Sequence, residues 1–453
     1  MKFYNRKQEL KLILNELKKK KTFIVLYGRR RVGKTRLVEE ALKNINHIEF
    51  FVPRKRLTPA LLYFKQKLIE QEGYSPTFTS IDEFLEYIFR KIKKPIFFDE
   101  ISNFQYIDSS AYSSLQRLID KNDARLIVTG SYVGITKKIF TDGKEPLFGR
   151  PTFILNLRPL CISTVVKMTR DMGYDFKDSI ELWCILGGIP RYIELTQGCN
   201  NIKEFIKMML SPGSIFIEEG VNILVQEFGR KWETYFSILE SIEHGARPKE
   251  IADRIGASIT SIPKYLKDLE ILEIIQRKNP ILGSKRNVRY EIKDNFFTFW
   301  FKEIYPRLEE YRSNMKKTSF ENIQTFIGKM MERFIIEIIK EKKIIDFNKI
   351  GNWWSRKGEE IDVVAINKKS KEILFCECKW RNHKIDWDIV EKLKRKSQLV
   401  DWYNTVRKER FLIISKAGFT KNCLKRMKEE KILFWDLQDM KKNLEELKFF
   451  NQQ

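Results

Sequence analysis

The apolar positions change period along the chain, and each change marks an element. Near the start, "TFIVLY" (22–27) and the cores of "KKPIFFDEIS" (93–102) and "ARLIVTGSYVG" (124–134) are nearly continuous apolar runs. Such runs predict strands buried on both faces, as in a parallel sheet covered by helices. Further on, Phe236, Leu239 and Ile242 recur at helical spacing. "PKEIADRIG" opens on Pro248, suited to a first helical turn, and stops at Gly256. "SITSIPKYLKDLEIL" (258–272) predicts a third helix with Ser258 as its cap. Two strand-like runs then flank the basic turn "NPILGSKRN" (279–287). Three helices and a hairpin are the plan of a winged helix, whose third helix reads a groove. After a linker at 311–326, "IGKMMERFIIEIIKEKK" (327–343) predicts a long helix, and "EIDVVAI" and "EILFCECKW" a hairpin across "NKKSK". The tail ends in a strand, "ILFWD", and an amphipathic helix.

The first apolar run leads into Gly28-Arg29-Arg30-Arg31-Val32-Gly33-Lys34-Thr35, after which a helical pattern begins. This is GxxxxGK[ST] in the strand–loop–helix setting that a phosphate-binding loop needs. Its glycines let backbone N–H groups close on phosphates, and the helix start adds a positive dipole end. Gly28, Arg31, Val32, Gly33, Lys34, Thr35 and Arg36 are therefore the expected nucleotide contacts. Lys34 reaches the β- and γ-phosphates of ATP, and Thr35 ligates Mg²⁺. The second run ends in Asp99-Glu100: the aspartate suits the metal and the glutamate the attacking water. A bare acidic pair after a strand is otherwise only a solvated edge. Thr129 and Ser131 end the third run, where open α/β sheets bind ligands, so a polar residue there can sense the γ-phosphate. Arg150, in "EPLFGR", is a candidate nucleotide-sensing arginine, in its own subunit or across an interface.

The late hairpin breaks its own pattern. Glu377 and Lys379 are two residues apart and share a face, and Asp362 can meet them from the neighbouring strand. Two carboxylates there make a hard-oxygen site suited to Mg²⁺ or Mn²⁺, and the lysine suits developing phosphate charge. The alternative is an ordinary solvated sheet face. Against it, both strands are apolar around these residues, and buried carboxylates require partners. Alternation puts Cys376 and Cys378 on the opposite face, as packing residues.

Composition narrows the partners. The chain has 453 residues, enough for three or four domains, and a net charge of +25. That field attracts polyanions: DNA first, an anionic surface second. Lys264 and Lys267 on the third helix, and Lys285, Arg286 and Arg289 on the wing, suit phosphate contacts, although a winged helix also serves as an interdomain module. No apolar run approaches a membrane span, the first residues lack a signal-peptide core, and six scattered cysteines suit a reducing cytoplasm. Trp353 and Trp354 are candidates for base stacking, or core residues.

The set "FYNRKQEL", "GRRRVGKT", "IFFDE", "VTGS", "PLFGR" and "LGGIPRYIE" resembles the archaeal ATPase family, within the AAA+ and STAND-like P-loop ATPases. The resemblance implies that Arg6 contacts the nucleotide and that "GGIPRYIE" belongs to a helical lid. The long helix followed by D…ExK resembles the PD-(D/E)XK nuclease core. That implies Asp362 and Glu377 as metal ligands, Glu332 as the helical acid and Lys379 as the catalytic lysine, with Gln398 matching a polar residue on the next helix. The expected architecture is α/β and multidomain. It comprises a P-loop ATPase core with a parallel sheet (1–160), a helical lid (161–228), a winged helix (229–300) and a restriction-endonuclease-like domain (308–453). The expected activity is ATP hydrolysis coupled to DNA binding or metal-dependent cleavage. The rival is a STAND-like switch whose last domain binds a partner. A homo-oligomer is open to either.

Overall fold

Continuous apolar runs form strands here because both sides of the sheet are covered. The computed structural model describes residues 2–242, 245–282, 288–313, 320–342, 346–355 and 357–445. It divides into two compact units: 1–160 with 189–192, and 161–188 with 193–453. In the first unit, β1 (Thr22–Tyr27), β2 (Ile48–Phe51), β3 (Ile96–Asp99), β4 (Arg125–Gly130) and β5 (Phe153–Asn156) form one sheet. All pairs are parallel, in the order β2-β3-β4-β1-β5. Along β1, Phe23 and Val25 enter one apolar cluster and Ile24 and Leu26 the other. This is the two-faced burial that the run requires. The carboxyl ends of β1, β3 and β4 thereby present Gly28, Asp99 and Thr129 along one edge.

The second unit begins with helices Ile162–Asp171, Phe176–Leu186, Ile202–Met209 and Ile215–Phe228. Helices Trp232–Ser241, Pro248–Ile255 and Ile262–Ile271 follow, with the antiparallel pair β6 (Ile275–Lys278) and β7 (Arg289–Ile292). Phe236, Leu239 and Ile242 are buried as the stripe implied. The third helix starts later than its sequence suggests. Ser258 instead opens a turn closed by Ser261 N–H on its carbonyl at 3.0 Å, leaving Pro263 in the first helical turn. The long helix begins earlier, at Phe320, and runs to Lys342. Last comes a mixed sheet of β8 (Lys349–Trp354), β9 (Glu360–Asn367), β10 (Glu372–Lys379), β11 (Lys408–Ser415) and β12 (Leu433–Trp435), in the order β12-β11-β10-β9-β8. The helices Trp387–Ser397 and Lys421–Glu429 contribute to its core. Among the described residues no helix is long and apolar enough to cross a membrane.

Two contacts tie the parts of this unit together. Ile281, beyond β6, donates its N–H to Asn352 O at 3.0 Å and buries its side chain in the core of Trp353, Ile361 and Phe375. Lys349 Nζ donates to the Ile281 carbonyl at 2.6 Å. Arg289 lies over the Trp354 ring at 5.7 Å, and Trp353 is a core residue. Of the two tryptophans, Trp353 is thus a core residue, and Arg289, still exposed, links the hairpin to β8. Lys285 and Arg286 lie outside the described residues. The second tie is Glu181, fully buried. It accepts from Trp380 Nε1 at 3.0 Å and Gln324 Nε2 at 3.1 Å, with Lys416 Nζ at 3.3 Å and Lys177 Nζ at 3.9 Å.

Ile281→Ala removes the apolar plug of the first tie. It should destabilise the second unit by about 2–5 kcal/mol, seen as a lower-temperature transition in calorimetry with the first unit's transition unmoved.

Candidate functional site

The phosphate loop is built around positions that only certain residues tolerate. Gly28 has φ 154°, and a Cβ there would stand 2.4 Å from the Leu157 carbonyl oxygen. Gly33 has φ 91° and precedes the helix Lys34–Leu42. Val32 is buried, and Arg36 lies in that helix's first turn. Lys34 Nζ, 4% exposed, donates to the carbonyls of Gly28 and Arg29 at 3.0 and 3.1 Å. Arg31, at φ 67°, lies over the Tyr192 ring at 5.7 Å. Pro190 Cγ stands 4.0 Å from where a Gly33 Cβ would be. Residues 189–192 thus cover the loop through Pro190 and Tyr192, neither of which the motif alone singles out.

The neighbouring strands supply the acids. Thr35 Oγ1 donates to Asp99 Oδ2 at 3.0 Å, and Thr129 Oγ1 donates to Asp99 Oδ1. Burial raises the Asp99 pKa above its ordinary value, the Thr129 and Thr35 hydrogen bonds partly opposing it, and Glu100 adding to it. Glu100 adopts a left-handed backbone, φ 62°, unusual for a side chain of its size. Its N–H donates to Thr129 Oγ1 at 3.2 Å, and its carboxylate accepts from Ser131 N–H at 3.0 Å. Thr129 therefore links both acids. Arg6 lies at this end of the sheet, its Nη2 donating to Arg158 O at 2.5 Å and its Nη1 to Glu9 at 3.0 Å.

Arg150 does not join them. It lines a recess with Thr22, Ala124 and Thr152, where β1 and β4 begin, and pairs with Asp120 at 3.4 Å. A strand of six residues spans roughly 17 Å, so Arg150 cannot reach a nucleotide held by its own loop.

The second cluster forms where β9 and β10 part. Their pairing ends at Cys376↔Val363, so the next residues, Asp362 and Glu377, face each other beyond the ladder. Cys378 N–H, left without a strand partner on that side, donates to Asp362 Oδ2 at 2.8 Å. Lys379 Nζ donates to Glu377 Oε1 at 2.6 Å. A register shift between Gly351 and Trp353 marks a bulge at Asn352. Asn352 Nδ2 donates both to Glu332 Oε2 at 2.7 Å and to Asp362 O at 2.6 Å. Cys376 and Cys378 are buried.

Burial pushes the Asp362 carboxyl up to about 6, the Glu377 charge adding to it and Lys379 opposing it. Burial also pushes Glu332 up to about 7, with Asp362 contributing. Lys379 is raised as well: burial lowers it, but Glu377 and Asp362 outweigh that. The expected trio of acids does not close into one cage. Among the described residues no three His, Cys, Asp or Glu side chains gather closely enough to hold a metal. The amide of Asn352 holds Glu332, leaving Asp362 and Glu377 as a pair. That pair still suits a cation, because the buried Glu377 Oε2 has no hydrogen-bond donor. Gln398 is exposed at the end of the helix Trp387–Ser397. Two residues earlier, Lys396 Nζ stands 3.7 Å from Glu377 Oε2. Sequence gave little sign of Lys396 or Asn352: one is a lysine in a basic turn, and the other depends on a bulge.

The parallel β2-β3-β4-β1-β5 sheet with this loop is a P-loop ATPase core, joined to an α/β domain with a mixed sheet. Residues 3–196 match an ATPase domain found predominantly in Archaea, and residues 300–393 match a group described as archaeal and bacterial proteins of unknown function. An uncharacterised protein of Methanocaldococcus jannaschii, MJECL04, is 32% identical over 417 residues, covering 88% of this chain and 92% of that protein. The chain belongs to this archaeal ATPase family. Among solved structures, the Walker-type ATPase PABY2304 of Pyrococcus abyssi shares the fold at 17% identity and TM-score 0.54, over 66% of this chain and 96% of its own. The ORC2 protein of Aeropyrum pernix is similar at 12% identity and TM-score 0.44, over 73% of this chain and 95% of its own.

The raised carboxyls fix the sign of a pH effect. An acid whose folded pKa lies above its unfolded value binds more protons when folded, so stability falls as pH rises between the two. In chelator, stability should fall as pH rises from the ordinary carboxylate range, near 4.5, through about 7. Glu332→Gln should flatten that fall, measured as melting temperature against pH.

Proposed function

We propose that the first unit binds and hydrolyses ATP, and that the second carries a divalent-metal-dependent site that cleaves the phosphodiester backbone of DNA. The observation that carries the second half is the meeting of Asp362, Glu377 and Lys379 at the fork of β9 and β10. In the first unit, Lys34 exchanges its loop carbonyls for β- and γ-phosphate oxygens. Glu100, poised by Ser131 and Thr129, orients the attacking water. Mg²⁺ held by Thr35 and Asp99 would neutralise phosphate charge. Arg6 lies on the same side and suits the nucleoside end, as the family resemblance implies. Arg150 would serve only a nucleotide bound by another copy of the chain.

In the second unit, Asp362 and Glu377 would hold Mg²⁺ or Mn²⁺, which supplies an activated water and charge neutralisation. Lys379 stabilises the charge that builds on the phosphate as the bond to the leaving oxygen breaks. The overall positive charge draws DNA toward the chain. Lys264 and Lys267 are exposed on the helix Ile262–Ile271 and suit phosphate contacts. The docked hairpin supports a different use of the winged helix, as a spacer within the second unit. That favours a second reading for the whole chain: an ATP-dependent switch whose last domain binds without cleaving.

Supercoiled, linear and single-stranded DNA, incubated with Mg²⁺ or Mn²⁺ with and without ATP, separates the readings. Wild-type protein should cleave and Asp362→Ala should not, with ATP turnover intact in both. Intact DNA in both, with turnover retained, would move the reading to the switch. Thr129→Val should lower ATP turnover by at least about tenfold with little change in nucleotide affinity, measured by steady-state kinetics and equilibrium binding.

A further inference from the structure

Glu377 has two unlike oxygens. Oε1 accepts a hydrogen bond from Lys379 at 2.6 Å. Oε2 is buried without a donor, and Lys396 Nζ at 3.7 Å is too distant for a hydrogen bond. A buried carboxylate oxygen left this way is a place for a closer cation.

We propose that Lys396 is a built-in counter-cation for the acid pair, neutralising Glu377 Oε2 until a divalent ion takes that oxygen. Once displaced, its ammonium becomes a contact for the substrate phosphate. This rests on the reading of Asp362 and Glu377 as a metal pair.

The surroundings single out this lysine. The other cations of its helix end have carboxylates elsewhere. Lys392 pairs with Asp388 at 3.0 Å, Lys394 with Glu430, and Arg395 with Glu359 at 3.7 Å. Lys396 alone among these four is directed at Glu377, and its charge also acts on Asp362. The helix is pinned by buried Trp387, Ile389, Val390 and Leu393, so the backbone holds the lysine in reach. The side chain itself is 19% exposed and its four-carbon stem is flexible. A divalent ion binds carboxylate oxygen at about 2.0–2.6 Å. Its charge repels an ammonium that stands 3.7 Å from the same oxygen, so the ion's arrival favours the lysine's departure.

The test is Mn²⁺ binding by the full chain, measured by electron paramagnetic resonance without DNA or nucleotide. Wild type is compared with Lys396→Met, Lys396→Gln, Asp362→Ala and the exposed control Lys392→Met. Both Lys396 variants should bind Mn²⁺ about tenfold more tightly than wild type, and Lys392→Met should match wild type. DNA binding in Ca²⁺ supplies a second readout: Lys396→Met should lower the slope of log K against log salt by about one, with no such change in chelator. If Mn²⁺ binds wild type, fails with Asp362→Ala, and is unchanged or weaker with both Lys396 variants, the counter-cation proposal is overturned while the metal reading stands. If Asp362→Ala matches wild type, and the Lys396 variants gain no site, the metal reading falls and the proposal with it. A site that appears only when Lys396 is removed would support the proposal most directly.

Discussion

Taking a carboxylate out of water is costly, and the second unit is organised by how each buried acid meets that cost. Glu181 meets it with two lysines, an indole N–H and an amide. Burial raises Glu291, yet Arg333 and Lys278 more than cancel this and leave it lowered. These acids are structural: each has enough counter-charge or enough donors. Asp362 and Glu332 do not, and both titrate upward. Glu341 is also raised, to about 7, but caps the helix Ile162–Asp171 through Ile162 N–H at 3.1 Å. Its other hydrogen bonds and the Glu337 charge lie along the same helix junction, whereas Asp362 is faced by Glu377 and Lys379 from the neighbouring strand. What sets the cluster proposed as functional apart is that its acids gather despite incomplete compensation, and not burial alone.

The backbone makes that gathering possible. A continuous ladder would spend the Cys378 N–H on β9 and hold Asp362 in a regular cross-strand pair. Because the strands part after Val363 and Cys376, the amide turns to the Asp362 carboxylate instead. The bulge on β8 then aims Asn352 at both Glu332 and the Asp362 carbonyl. Two irregularities in adjacent strands thus position three acids, as is common where sheets carry sites.

Much of this was legible in the chain. The loop, Asp99, Glu100 and Thr129 sit where strand–loop–helix patterning puts them, because a parallel sheet with both faces buried leaves its carboxyl ends as the place for polar residues. The hairpin acids were legible because charge interrupts an apolar alternation. What escaped depends on distance across the fold. Arg150 follows a glycine in a suggestive motif, but β5 starts just after it, so it falls at the wrong end of the sheet for its own nucleotide. Arg289 and Trp354 carry no local sign of the tertiary contact that joins them. Ile281 carries no local sign that it fills the core of another module; only the register of β8 reveals it.

The two candidate sites hold their acids by different means. Asp99 is held by two neutral hydroxyls, Thr35 and Thr129. Hydroxyls leave the carboxylate its charge and withdraw from it with little electrostatic penalty. Glu377 is held by ammonium groups, Lys379 in contact and Lys396 further off. Ammonium groups cancel the charge that attracts a divalent ion, and a buried setting magnifies that competition. The first site is thereby left ready for its cation. On the proposed reading the second is set against casual occupancy, and its cation would have to displace a charge or arrive with a polyanion that takes the displaced lysine. The phosphodiester cleavage proposed for this site would gain from such a threshold, because metal and substrate would then favour one another at a single carboxylate.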